Sequence, residues 1–109
     1  MDYTKVLAVD AIANDSKRIV VVNDNKMLLA RVEDQYYAID NVCPHMDGSL
    51  GDGILKGYVI TCPKHGSQFD IRDGKVVKRG KIAFVKVKVD NCKTYEVKIE
   101  GKDVFIGIE

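Results

Sequence analysis

The sequence predicts an all-β protein, an antiparallel sandwich or barrel of short strands, on three observations. Apolar residues alternate with polar ones over several runs, tight-turn residues separate those runs, and no segment carries a convincing helical stripe. The alternation is plainest towards the C-terminus. Val85, Val87 and Val89 are interleaved with Lys86 and Lys88, and Tyr95, Val97 and Ile99 with Glu96 and Lys98. Val104, Ile106 and Ile108 follow the turn Glu100-Gly101-Lys102-Asp103. Successive strand side chains point to opposite faces, so period two with one apolar face reads as half-buried antiparallel strand.

Earlier elements follow the same logic. Arg18–Asn23 and Lys26–Val32 are apolar runs split by Asn23-Asp24-Asn25, and Gln35–Ile39 follows a turn at Glu33-Asp34. Asn and Asp tolerate the left-handed backbone of tight hairpins, which predicts a meander. Asp73-Gly74 marks another hairpin just after Phe69-Asp70-Ile71. Ala8–Ala13 makes at most one helical turn. Residues 41–70 are expected to form a small β subdomain with two loops at its tip, inside a single domain spanning 1–109.

Composition sets bounds. The 109 residues are enough for one domain with a modest core, and 46% are hydrophobic, ordinary for a globular fold. No apolar run approaches a membrane span, and Met1-Asp2-Tyr3-Thr4-Lys5 lacks the start of a signal peptide, so the chain is expected to be soluble and cytoplasmic, with no membrane partner. A net charge of +1 argues against nucleic acid as a partner. Three cysteines cannot build a disulfide framework. The charge is uneven: residues 1–53 hold five Lys/Arg against nine Asp/Glu, and residues 54–109 hold twelve against seven. The excess lies mainly in Lys75, Lys78, Arg79, Lys81, Lys86 and Lys88, which form either solvated strand faces or a patch that steers a protein partner.

The chemistry lies in two mirrored pairs, Cys43-Pro44-His45 and Cys62-Pro63-Lys64-His65, separated by the sixteen residues Met46–Thr61. They take both histidines of the chain and two of its three cysteines. Such a donor set points to a metal. Pro44 and Pro63 stiffen the loops, while Gly48 and Gly66 let the backbone approach closely. A structural Cys₂His₂ zinc site uses the same ligand types, although zinc fingers usually group cysteine with cysteine and histidine with histidine. A Cys/His catalytic dyad would leave the second pair unexplained. Cys92, in Asp90-Asn91-Cys92-Lys93, is expected in or beside a turn, as an idle thiol or a site of intermolecular oxidation.

The run Tyr37-Ala38-Ile39-Asp40-Asn41-Val42-Cys43-Pro44-His45 and the run Cys62-Pro63-Lys64-His65-Gly66-Ser67-Gln68-Phe69-Asp70 together resemble the two cluster loops of Rieske-type [2Fe–2S] ferredoxins. The flanking strands extend the resemblance over most of the chain, with Leu50 and Gly53 standing where the family has a packing leucine and a turn glycine. The resemblance implies one [2Fe–2S] cluster per chain, with Cys43 and Cys62 on one iron and His45 and His65 on the other. The histidines would bind through Nδ1 and leave Nε2 near solvent, so that the midpoint potential falls as pH becomes alkaline. Gly48 and Gly66 would bring amides towards the sulfides, Ser67 would donate a hydroxyl hydrogen bond, and Met46 would be an apolar lid.

Departures from the family sort its branches. Rieske subunits of cytochrome bc complexes carry an extra cysteine in each loop, joined as a disulfide; here those positions are Gly48 and Lys64. Phe69 stands where high-potential members have a tyrosine hydroxyl. Arg79-Gly80-Lys81 replaces a proline-containing loop. Both the missing bridge and the missing hydroxyl imply a potential towards the bottom of the Rieske span of roughly −150 to +300 mV. The implied function is a soluble carrier that passes single electrons between a reductase and a terminal oxygenase or other oxidoreductase. A fixed redox subunit of a larger enzyme and a zinc-bound interaction module remain alternatives. Nothing in the chain offers a substrate pocket, nucleotide fingerprint or nucleophile.

Overall fold

The computed structural model describes residues 1–44, 48–64, 66–78, 81–82, 85–86 and 90–108, with backbone pairing alone at 81–82 and 85–86. The described elements are strands and two short 3₁₀ turns. Six strands form the larger sheet: β1 (Asp2–Ala8), β2 (Ser16–Val22), β3 (Asn25–Val32), β4 (Gln35–Asp40), β11 (Thr94–Glu100) and β12 (Asp103–Ile108). Their order is β1-β12-β11-β4-β3-β2, and every pairing is antiparallel. A second, four-stranded sheet has β5 (Ile54–Lys56), β6 (Val59–Thr61), β7 (Gln68–Asp70) and β8 (Val76–Lys78) in sequential order, so its last strand lies beyond residue 70. Between the sheets in sequence, β9 (Lys81–Ile82) pairs β10 (Val85–Lys86).

The predicted hairpins form where the turn residues sit. Asn23 and Asp24 join β2 to β3 with φ of 48° and 67°, and Glu33 and Asp34 join β3 to β4 with 52° and 62°. Two successive positive φ values suit the right-handed twist of the flanking strands. Glu33 is an unusual residue there, and its neighbours hold the turn: Asp34 N–H donates to Asn14 Oδ1 at 2.8 Å, and Asn14 Nδ2 donates to Asp34 Oδ1. The carboxylate of Glu33 accepts the Tyr58 hydroxyl from the second sheet. The segment Ala8–Ala13 contains one 3₁₀ turn, Val9–Ala11, as expected.

Strand β3 explains how the two sheets come together. Its apolar run Met27-Leu28-Leu29-Ala30 is buried throughout, on both faces. Met27 and Leu29 face one core with Ile12, Val20, Val22, Ala38, Val104 and Ile106. Leu28, Ala30 and Val32 face another, against Leu50, Ile60, Phe69 and Ile71 of the smaller sheet and its loops. In β4, Ala38 and Ile39 divide the same way. The β3–β4 hairpin is therefore a shared wall, and each large side chain buried against it contributes roughly 1.5–3 kcal/mol.

Two elements depart from the sequence reading. Strand β1 was not predicted, because it is an edge strand with most of its side chains in solvent and so carries no alternation. Ile99 of β11 is 46% exposed, since its face of the sheet is left uncovered there. The run Val87–Val89 lies outside the described residues, as does Arg79-Gly80; of Lys81 the backbone alone is described.

Candidate metal centre

The first loop leaves β4 through Asn41 and returns along the 3₁₀ turn Leu50–Asp52. Val42 forms an isolated antiparallel bridge with Ser49, and Cys43 N–H donates to the Gly48 carbonyl at 2.7 Å. The second loop leaves β6. Cys62 N–H donates to the Ser67 carbonyl at 2.8 Å, and Gly66 N–H donates back to the Cys62 carbonyl at 3.1 Å. Both loops are thus cinched at a cysteine. Cys43 and Cys62 are each buried, and none of the three cysteines forms a disulfide.

Gly48 brings the loops together. A Cβ at this position would lie 2.7 Å from Cys62 Sγ and 3.3 Å from Lys64 Cβ. Cys43 is hydrogen-bonded to Gly48, so the two cysteines converge on one glycine despite their separation in sequence. The approach to Lys64 also shows that Gly48 and Lys64 are opposed at about the Cβ separation a disulfide spans, ~3.5–4.5 Å. With glycine and lysine there, the loops are held without a bridge.

Two further glycines shape the loops, each for its own reason. Gly66 has φ of +77°, a left-handed conformation that favours glycine. Gly53 has an ordinary φ of −86°, but a Cβ there would overlap the Thr61 carbonyl oxygen, so β5 could not lie so close to β6. Leu50 is fully buried, as the packing leucine should be. Ser67 and Phe69 are both 0% exposed, with Phe69 opposite Ile60 in the β6–β7 pairing. His45, Met46 and His65 lie outside the described residues. Among the described residues no group of three or more His, Cys, Asp or Glu is placed to hold a metal; of the four expected ligands, the two thiols Cys43 and Cys62 are described.

Cys92 is a surprise. It follows an irregular stretch, yet it is only 6% exposed and shares the inner core with Cys43 and Cys62. Its N–H donates to the Gly74 carbonyl at 2.8 Å, which ties residues 90–93 to the β7–β8 turn. Burial, and the negative charge of Cys43, Asp40 and Cys62 nearby, push its thiol up to about 12. A buried thiol held protonated is a poor site for oxidation by another molecule. Sequence reasoning missed this burial because Asp90, Asn91 and Lys93 on either side are polar.

Charge around the site is partly neutralised locally. The Arg72 guanidinium donates to both carboxylate oxygens of Asp70, at 3.0 and 2.7 Å, and holds that carboxyl below its usual range. It also stacks 4.1 Å over the Tyr58 ring. Lys75 and Lys78 are exposed at the β8 edge. Arg79 and Lys88, and the side chains of Lys81 and Lys86, lie outside the described residues.

Two buried thiols, a close glycine between them and a covering sheet define a small all-β metal protein. The donor chemistry fits an iron–sulfur centre: thiolates are the soft ligands it requires, and the space beside Cys62 Sγ is kept clear only because residue 48 has no side chain. A family model for the Rieske [2Fe-2S] domain matches residues 2–96. The ferredoxin component of a naphthalene 1,2-dioxygenase system from Pseudomonas aeruginosa is 38% identical over 89 residues, covering 82% of this chain and 79% of that protein. The Sphingomonas yanoikuyae B1 ferredoxin structure superposes with a TM-score of 0.80 at 27% identity, covering 99% of this chain and all of that one. A chain from a complex of reduced oxygenase and oxidized ferredoxin in carbazole 1,9a-dioxygenase also gives 0.80, at 29% identity over 95% of this chain and 91% of that one. The protein belongs to the Rieske [2Fe–2S] domain family. It carries one [2Fe–2S] cluster per chain and serves as an electron carrier, which replaces the zinc-module reading.

Proposed function

We propose that this protein carries single electrons from a reductase to the terminal oxygenase of a multicomponent system, with Cys43 and Cys62 holding one iron and His45 and His65 the other. The observation that carries the reading is the convergence of two buried thiols on Gly48. The cluster supplies a one-electron redox couple; the chain supplies the soft donors, a dry wall and close backbone. Val42, Pro44, Pro63 and Lys64 are exposed around the buried cysteines, which leaves a mixed apolar and basic rim for a protein partner. The relative seen with an oxygenase supports that choice of partner. Residues 1–109 would act as one domain, because the core around Phe69 draws on both sheets. Residues 41–70 would be its cluster-binding part, with Gly48, Gly66 and Ser67 around the cluster and Met46 as its apolar cover.

A cytoplasmic location is part of the proposal. It is supported by three unbridged cysteines, as in a reducing compartment, and no helix among the described residues is long and apolar enough to cross a membrane. Visible and low-temperature EPR spectra of the purified protein, followed by mixing with a ferredoxin reductase, NADH and an oxidised Rieske oxygenase, test the reading. A Rieske spectrum that bleaches with the reductase and recovers with the oxygenase is expected. A colourless protein containing zinc, or a cluster that exchanges electrons with neither, overturns it.

Ser67 offers a finer test. Its hydroxyl is buried beside the second loop, and a donor to a sulfide stabilises the more negative reduced state. Ser67→Ala should therefore lower the midpoint potential. A hydrogen bond to a charged group is worth about 1.5–3 kcal/mol, and only its difference between redox states counts, so a drop of tens of millivolts up to roughly 100 mV is expected. Protein-film voltammetry decides it; an unchanged or raised potential means the hydroxyl is directed elsewhere.

A further inference from the structure

We infer that Asn41 is the positioning residue that fixes the first loop, and with it Cys43, to the wall of the large sheet; this rests on the ligand set proposed above. Asn41 is 3% exposed, and both its backbone and its side chain are hydrogen-bonded. Its backbone N–H donates to the Lys26 carbonyl at 3.1 Å, at the start of β3. Its carbonyl accepts the Leu50 N–H at 2.8 Å. Its side-chain Oδ1 accepts the Gly51 N–H at 2.7 Å, and Nδ2 donates to Ser49 Oγ at 3.0 Å. A backbone N–H can only donate, so the atom facing Gly51 is the amide oxygen. One bond reaches the large sheet and three reach the returning limb of the loop.

That arrangement joins the outgoing limb at Asn41 to the returning limb at Ser49–Gly51. Above Asn41 come the Val42–Ser49 bridge and the Cys43–Gly48 hydrogen bond. From the far side, Lys17 Nζ donates to the Gly51 carbonyl at 2.6 Å. A Cβ at Gly51 would overlap the Ile19 side chain and lie 2.8 Å from Asn41 Oδ1, so β2 packs directly on the joint. Opening it would break the bonds of a buried amide and of the Leu50 and Gly51 N–H groups together, which makes the joint stiff. Cys43 begins two residues further on. A ligand carried on a fixed base keeps its iron, whereas a loop free to open surrenders it.

The holoprotein is tested by three readouts: the rate at which visible absorbance is lost to an iron chelator, the midpoint potential, and amide hydrogen exchange. Asn41→Ala should speed cluster loss about tenfold or more, displace the potential, and raise exchange at Leu50 and Gly51. Amides of Val104 and Ile106 should keep their wild-type protection. Ser49→Val and Ser49→Thr are nearly isosteric and differ in the hydroxyl; the first should lose its cluster faster than wild type and the second should match it. That pair decides the matter even if Asn41→Ala fails to fold. Equal cluster loss for Val and Thr, or protection lost equally in β12, overturns the inference. A wild-type protein with no Rieske spectrum overturns the ligand set instead, and exchange at Leu50 and Gly51 still reads the joint.

Discussion

Replacing Cys43 or Cys62 with Ala is expected to give a folded protein with no cluster at all. Metal-ligand sets act as units, because an iron with an open position is labile and the remaining ligands cannot hold it. The same loss is expected for His45→Ala and His65→Ala. Each cysteine sits in the inner core beside Leu50, Ile60 and Phe69, so removing a sulfur leaves a small void that the sheets survive. Cys92→Ala is the control. Its thiol lies in the same core, but burial keeps it protonated and it belongs to neither loop. Iron content, visible absorbance and far-UV circular dichroism of the five variants decide the matter. Retention of the full spectrum in any of the four ligand variants, or its loss in folded Cys92→Ala, would mean the ligand set is wrong.

Phe69→Ala should cost the most stability of any core truncation here, about 3–5 kcal/mol. Phe69 is wholly buried on β7, opposite Ile60, in the core where the second sheet meets β3 and β4. Domains are stable by only ~5–15 kcal/mol, so this is a large share of the total. Phe69→Leu fills most of the volume and should cost under about 1.5 kcal/mol. The midpoint of urea unfolding measures both, and cluster loss should track the unfolding of the Ala variant. A change below 1 kcal/mol for Phe69→Ala would show that the second sheet is not held through this core.

Hairpins and donors were legible because both are local. Asn23-Asp24 and Glu33-Asp34 form turns whichever faces the strands later bury, and register then follows from turn length. Two Cys/His pairs, each with its proline, announce a metal from residue types and spacing within a few positions. The alternation of Val104, Ile106 and Ile108 likewise fixed one buried face of β12.

Facts that depend on a second surface could not be read this way. The run Met27-Leu28-Leu29-Ala30 is compatible with any buried element; only the packing of the smaller sheet on the outer face of β3 makes it a wall between two cores. Cys92 sits among polar neighbours and is buried because residues 90–93 are tied to both the β7–β8 turn and β4. Gly53 has an ordinary backbone, so its necessity lies in the Thr61 carbonyl across the strand pair. Asn41 reads in sequence as one polar residue in a loop, and its partners Lys26, Ser49, Leu50 and Gly51 are assembled from both sheets' surroundings. The chain alone therefore determined which turns, strands and soft donors exist, since these follow from short-range sterics and chemistry. Tertiary structure decided which surfaces are covered and what holds the loops, since burial and hydrogen-bond partners come from segments distant in sequence.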